Sequence, residues 1–157
     1  MATARNRLSQ YDRSKVPDAK DFRIGLVVSE WNETITEALY KAAKNTLLDN
    51  NVAEKNIVRI DVPGSFELIY GASRAQQMSF DAIITIGCII QGETRHFEFI
   101  SNAVVQGIKD LNLNGKTPVI FCVLTDDNIE QSKARCGGYK GNKGVEAAIT
   151  ALRMIPI

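Results

Sequence analysis

The feature that most constrains this chain is the alternation of short apolar runs with longer segments of helical period. Four runs, Phe22 to Ser29, Ile57 to Val62, Ala82 to Ile90 and Pro118 to Leu124, are rich in Ile and Val. They are nearly continuous rather than alternating with polar residues, the pattern of strands covered on both faces. Between them, apolar residues recur at spacings of three and four. Ile35, Leu39, Ala42 and Ala43 mark one such segment, Leu68, Ala72 and Ala75 a second, and Phe97, Ile100, Val104, Ile108 and Leu111 a third. Pro63-Gly64 stops the second strand, Ser65 is a candidate N-cap for the helix behind it, and Asn114-Gly115 ends the third helix. Two shorter helices follow, Asn128 to Arg135 and Asn142 to Met154, the latter with Val145, Ala148, Ile149 and Leu152 on one face. With short connections this order predicts an α/β domain, a three-layer α/β/α sandwich around a four-stranded parallel sheet. At 157 residues and 45% hydrophobic, the chain is long enough for one such core.

Charge and cysteines bound the setting. A net charge of +1 argues against a general nucleic-acid or membrane-surface binder. Residues 1–20 are polar and aperiodic, contain Pro17, and carry five basic against two acidic residues, which reads as a mobile or partner-dependent arm ahead of a domain at 21–157. No apolar stretch is long enough to span a bilayer, and the N-terminus has no signal-peptide block. Three cysteines without a C-x-x-C pair, and one histidine, make no convincing zinc set. They read as core thiols in a reducing compartment, the cytoplasm.

In a parallel sheet, ligands bind outside the carboxyl ends of the strands. Here those ends carry Trp31-Asn32, Pro63 to Glu67, Cys88 to His96, and Leu124 onward. Trp31 is either a stacking face or core, and Glu67 either an acceptor for hydroxyls or a complement to a helix dipole. Around Glu93 and Thr94, a strand end meets a helix start, where free backbone N–H groups favour an anion. His96, the one side chain that titrates near neutrality, falls in the first turn of that helix and points to proton transfer beside a phosphate; the alternative is that it merely completes the turn. The segment Arg135 to Gly144 reads either as a phosphate loop or as a glycine-rich helix connection. It is not a Walker A loop, and no G-x-G-x-x-G follows the first strand.

Several of these stretches together resemble the 6,7-dimethyl-8-ribityllumazine synthase family, over residues 22 to about 154. The matching motifs are Trp31-Asn32, Val62-Pro-Gly-Ser-Phe-Glu-Leu68, Gly92-Glu-Thr-Arg-His-Phe97, Val123-Leu-Thr125 with Glu130-Gln131 and Arg135, and Gly141-Asn-Lys-Gly144. Two positions depart from the family's habit: Gln91 stands where a basic residue is common, and Ile69 where proline is common.

The resemblance implies a flavodoxin-like fold and a condensation without cofactor or metal. The amine of 5-amino-6-(D-ribitylamino)uracil attacks the ketone of 3,4-dihydroxy-2-butanone 4-phosphate, and imine formation, phosphate elimination and ring closure give the lumazine. By the same resemblance, Trp31, with Asn32 beside it, stacks on the pyrimidine, whose polar edge meets the backbone of Cys88, Ile89 and Ile90. Ser65, Phe66 and Glu67 take the ribityl chain. Glu93 and Thr94 receive the phosphate with Arg135, His96 carries the proton, and Phe121 and Lys143 come from a neighbouring subunit. Family members assemble as pentamers, paired pentamers or icosahedral shells. The short turn from Cys136 to Gly141 matches shell-formers, so a shell of pentamers is expected. Two other readings use the same residues: a flavin-binding module without turnover, and a shell protein whose catalysis is secondary.

Overall fold

A computed structural model describes residues 9–157. The strands are β1 (Ile24–Ser29), β2 (Ile57–Val62), β3 (Ala82–Ile90) and β4 (Val119–Asp126), and they form one parallel sheet in the order β2-β1-β3-β4. The helices are α1 (Glu33–Asp49), α2 (Leu68–Ala75), α3 (His96–Asn114), α4 (Ile129–Arg135) and α5 (Lys143–Met154). A two-stranded hairpin, β5 (Cys136–Gly138) with β6 (Gly141–Asn142), joins the last two helices. This is the expected three-layer sandwich with flavodoxin-like strand order. The order reverses between β1 and β3, so a crevice opens there at the carboxyl ends of the strands.

The continuous apolar runs bury both faces of the sheet. Leu26, Val28, Ile84 and Ile86 pack under Ile35, Leu39 and Leu47 of α1 and Ala148 and Leu152 of α5. Val27 and Ile83, one residue out of phase, pack under Leu68 and Ala72 of α2 and Val104 and Ile108 of α3. Each fully buried Ile or Leu contributes roughly 1.5–3 kcal/mol. Cys88 and Cys122 are free buried thiols, as expected, whereas Cys136 is only half-buried.

Some local expectations change. Ser65 does not cap α2: its carbonyl accepts from the Leu68 N–H across a turn, and its hydroxyl has no partner. The helix expected directly behind Gly92 begins at His96, after a turn over residues 92–95. β4 runs two residues beyond Leu124, because Thr125 and Asp126 pair with Ile89 and Ile90. Of the arm over residues 1–20, residues 1–8 lie outside the described residues. The described part lies along its own protomer: Ala19 is buried, Val16 packs on the core beneath α1 and α5, and Asn50 Nδ2 donates to Tyr11 Oη (3.2 Å).

Candidate functional site

A cavity of about 510 Å³ opens at the β1/β3 crevice. Its walls come from the ends of three strands. β1 ends in Trp31-Asn32, β2 in Gly64 to Glu67, and β3 in Cys88 to Ile90, while Gly92, Thr94, His96, Phe97 and Ile100 close it from the start of α3. Ten residues expected at the site thus meet in one protomer: Trp31, Asn32, Ser65, Phe66, Glu67, Cys88, Ile89, Ile90, Thr94 and His96.

Local conformation explains how they are aimed. Asn32 sits in the left-handed region (φ 60°), which an asparagine tolerates better than most residues, and Nδ2 donates to the Cys88 carbonyl (2.9 Å). That bond ties the β1–α1 turn to the end of β3, a structural role beside the ligand role expected of Asn32. Turned out by this kink, Trp31 is 71% exposed, so it is no core residue; Phe66 is half-exposed at the same mouth. Exposed large aromatics lining a cavity point to a ligand surface. β1 pairs with β3 only as far as Val28 opposite Ile86, whereas β3 continues to Ile90 along β4. Apart from the Cys88 carbonyl, which Asn32 takes, the backbone of Cys88 to Ile90 therefore has no strand partner on the β1 side, where it faces the cavity with groups to offer a flat heterocycle.

The polar groups are few and distinct. Ser65 Oγ is buried without a partner and lies over Gly87, where a Cβ would come within 2.8 Å of it. A buried unpaired hydroxyl on a cavity wall favours a ligand that hydrogen-bonds to it. Glu67 Oε2 bends over Gly64, where a Cβ would again clash at 2.8 Å, and it makes no capping bond. Thr94 Oγ1 accepts from the His96 N–H at 3.3 Å, and His96 is exposed at the first turn of α3. Burial raises the Cys88 thiol to about 11, so on the cavity floor it stays a neutral group.

Four expected residues stand outside this cavity. Glu93 is exposed on the turn between Gly92 and Thr94. Arg135 lies on α4, with Nη1 donating to the Gln131 carbonyl (3.0 Å) and Nε 3.8 Å from Asp126 Oδ1. Phe121 and Lys143 line a second cavity, about 620 Å³, along the edge strand β4, where Lys143 Nζ pairs with Glu146 at 2.7 Å. The Arg135 to Gly144 segment forms a hairpin between helices, with Gly137 (φ 130°) and Gly141 (φ 89°) in conformations that favour glycine. Gly64 and Gly92 fall within the strand ends expected to carry the ligand, while Phe97 and Ile100 were not singled out as cavity lining. For Ile100 a signal existed: it lies one helical turn after His96, on the same face. Among the described residues no group of three His, Cys, Asp or Glu could hold a metal, and no helix is long and apolar enough to cross a membrane.

The family model described as 6,7-dimethyl-8-ribityllumazine synthase matches residues 21–157. A protein of that name from Christiangramia forsetii is 60% identical over 156 residues, 98% of this chain and 93% of the relative. One from Flavobacterium johnsoniae is 58% identical, covering 98% of this chain and 82% of the relative. One from Porphyromonas gingivalis is 52% identical, covering 98% and 96% respectively.

Proposed function

The chain belongs to the 6,7-dimethyl-8-ribityllumazine synthase family, and we propose that the β1/β3 cavity is where it carries out the reaction. It is an enzyme of riboflavin biosynthesis that condenses 5-amino-6-(D-ribitylamino)uracil with 3,4-dihydroxy-2-butanone 4-phosphate, releasing phosphate and water. The observation that carries the site is the meeting of exposed Trp31, the backbone edge of Cys88 to Ile90, and His96 at one strand switch point.

In this reading the uracil ring lies on Trp31 with its polar edge on the β3 backbone. The ribityl hydroxyls reach Ser65 Oγ, the Phe66 backbone and the Glu67 carboxylate. The phosphate sits at the turn of Glu93 and Thr94, with Arg135 as its cation. The amine adds to the ketone and water leaves to give the imine. His96 moves a proton as phosphate is eliminated, and the ribitylamino nitrogen closes the ring on the remaining carbonyl with loss of a second water. Much of the acceleration comes from holding amine and ketone together, which raises their effective concentration.

Among the described residues none that lines the β1/β3 cavity is a Lys or Arg, although one substrate is a phosphate ester. This supports a site completed between copies, Phe121 and Lys143 of one copy facing the cavity of the next, in a pentamer. The compact hairpin at residues 136–142 supports pentamers closing into an icosahedral shell. Free cysteines suit the cytoplasm. Mixing the two substrates with the protein and following lumazine fluorescence with phosphate release tests the activity. Flavin binding without lumazine formation would replace it with the flavin-module reading. Light scattering tests the assembly, and a particle no larger than one pentamer would remove the shell.

A further inference from the structure

We propose that Asp126 tunes the phosphate end of this site, its buried carboxylate holding Arg135 back and limiting how tightly a phosphate is kept. The inference rests on the reading of Arg135 as the phosphate's cation. Asp126 ends β4 and is 6% exposed, and a charge so buried requires partners. Ser132 Oγ donates to Oδ2 at 2.8 Å, and Oδ1 faces Arg135 Nε at 3.8 Å. Asp126 and its partner Ser132 are each anchored to the end of β3. Gln91 N–H donates to the Asp126 carbonyl (3.0 Å), and Ser132 Oγ also lies 3.4 Å from Cys88 Sγ on the cavity floor. Arg135 is less constrained: its side chain is 36% exposed, Nη1 is bonded to the Gln131 carbonyl, and the remaining guanidinium donors have no partner among the described residues.

Two effects compete when a carboxylate stands beside a phosphate-binding arginine. It can orient the guanidinium, which favours the anion, or it can oppose the anion by charge. At 3.8 Å the contact is an ion pair and not a hydrogen bond, so it orients weakly. The opposing effect is present by either route a phosphate can take. If Arg135 stays beside Asp126, the carboxylate repels the arriving dianion through a partly buried, weakly screened path. If Arg135 swings out to the phosphate, the lost ion pair is charged against binding. Both routes give the same sign, so Asp126 weakens phosphate binding and speeds departure of the phosphate released in the reaction.

The test uses the full chain and inorganic phosphate. Asp126→Asn keeps the shape and an acceptor for Ser132, and Asp126→Ala removes the group should the amide disturb folding; thermal melts accompany both. Calorimetry is expected to show phosphate bound roughly tenfold tighter by either variant. The KM for butanone phosphate falls, the KM for the uracil substrate is unchanged, and product inhibition by phosphate strengthens. In an Arg135→Ala background the same substitution still tightens phosphate binding, but by less, since the competition for Arg135 is gone and only the direct repulsion remains. Unchanged or weaker phosphate binding in folded Asp126 variants overturns the inference while leaving Arg135 in place. Wild-type phosphate affinity in Arg135→Ala alone overturns the reading of Arg135 instead.

Discussion

The two large cavities of this protomer are nearly complementary. The cavity at the β1/β3 crevice holds exposed aromatics, an unpaired buried hydroxyl, Glu67 and His96, but, among the described residues, no lysine or arginine. The cavity along β4 holds Lys116, Phe121 and Lys143 with its partner Glu146, but, among the described residues, no histidine. In the proposed reaction the first binds a flat polyol-bearing ring and moves a proton, and the second supplies positive charge and a second aromatic face. The two cavities stand apart in one chain because β4 is the sheet's edge, while the crevice sits at its middle. In the proposed assembly, repeating the chain around a closed ring joins the two.

Mixed assemblies give the largest expected effect. A chain crippled in the first cavity (Trp31→Ala with His96→Ala) and one crippled in the second (Phe121→Ala with Lys143→Ala) should each be nearly inactive alone. Refolded together in equal amounts, about one quarter of the interfaces in a ring pair two intact halves, so activity should return to that order. Mixtures no more active than either parent would show that the two cavities do not share a site.

Single substitutions within the proposed phosphate and proton path come next. Arg135→Ala should lower kcat/KM by ~1.5–3 kcal/mol, mainly through the butanone phosphate, since a charge-assisted contact is lost. A lysine there restores only part of it, because the fork is gone. His96→Ala should lower kcat with little change in binding, near the low end of the ~10²–10⁴-fold typical of general acid–base groups, because orientation carries much of this reaction. Steady-state kinetics with each substrate varied separates the two. Wild-type turnover without His96 would remove it from the mechanism.

Trp31→Ala is smaller still and separates surface from core. Loss of a stacking aromatic costs ~1–3 kcal/mol per base-like ring, whereas truncating a buried Trp costs ~3–5 kcal/mol of stability. With Trp31 71% exposed, ligand affinity should fall and the melting temperature should hold, and Trp31→Phe should keep most of the affinity. Ligand titration beside thermal unfolding decides; a large drop in melting temperature would mean that the ring is structural.

How much of this was legible in the sequence depended on whether the signal was local. β2 and β3 begin and end where their apolar runs do, bounded by Pro63-Gly64 and by the turn at Gly92. The carboxyl-end residues were legible for the same reason, since a parallel sheet delivers every strand end to one edge. Non-local pairing was not. β4 gains Thr125 and Asp126 only because β3 offers partners that far, and β1 starts at Ile24, where its ladder with Ile57 and Ala82 begins. Ser65 looked like a cap because serine before an apolar helix usually is one, but packing over Gly87 directs its hydroxyl elsewhere. The fork in Asp126's loyalties, to Ser132 on one side and Arg135 on the other, has no sequence signature at all.

The smallest effect is carried by the buried thiols. Cys88 floors the first cavity and Cys122, wholly buried, lies within electrostatic reach of Lys143 and Glu146 from the second. Burial pushes Cys88 up to about 11 and Cys122 up to about 12. The folded protein therefore keeps both protons where the unfolded chain, with ordinary thiols, begins to lose them. A raised folded value means that the contribution is fully present below the unfolded value, near pH 8.5–9, and is lost as pH rises from there toward the folded values. Between pH 8 and pH 9.5 the loss should be about 1 kcal/mol for each thiol, growing above that. Cys88→Ala and Cys122→Ala, compared with wild type by urea unfolding across this range, should each flatten part of the slope. Cys122→Ala should have the larger share above pH 11, because its thiol stays protonated furthest. Equal slopes in wild type and both variants would show that other groups set the alkaline limit of both regions.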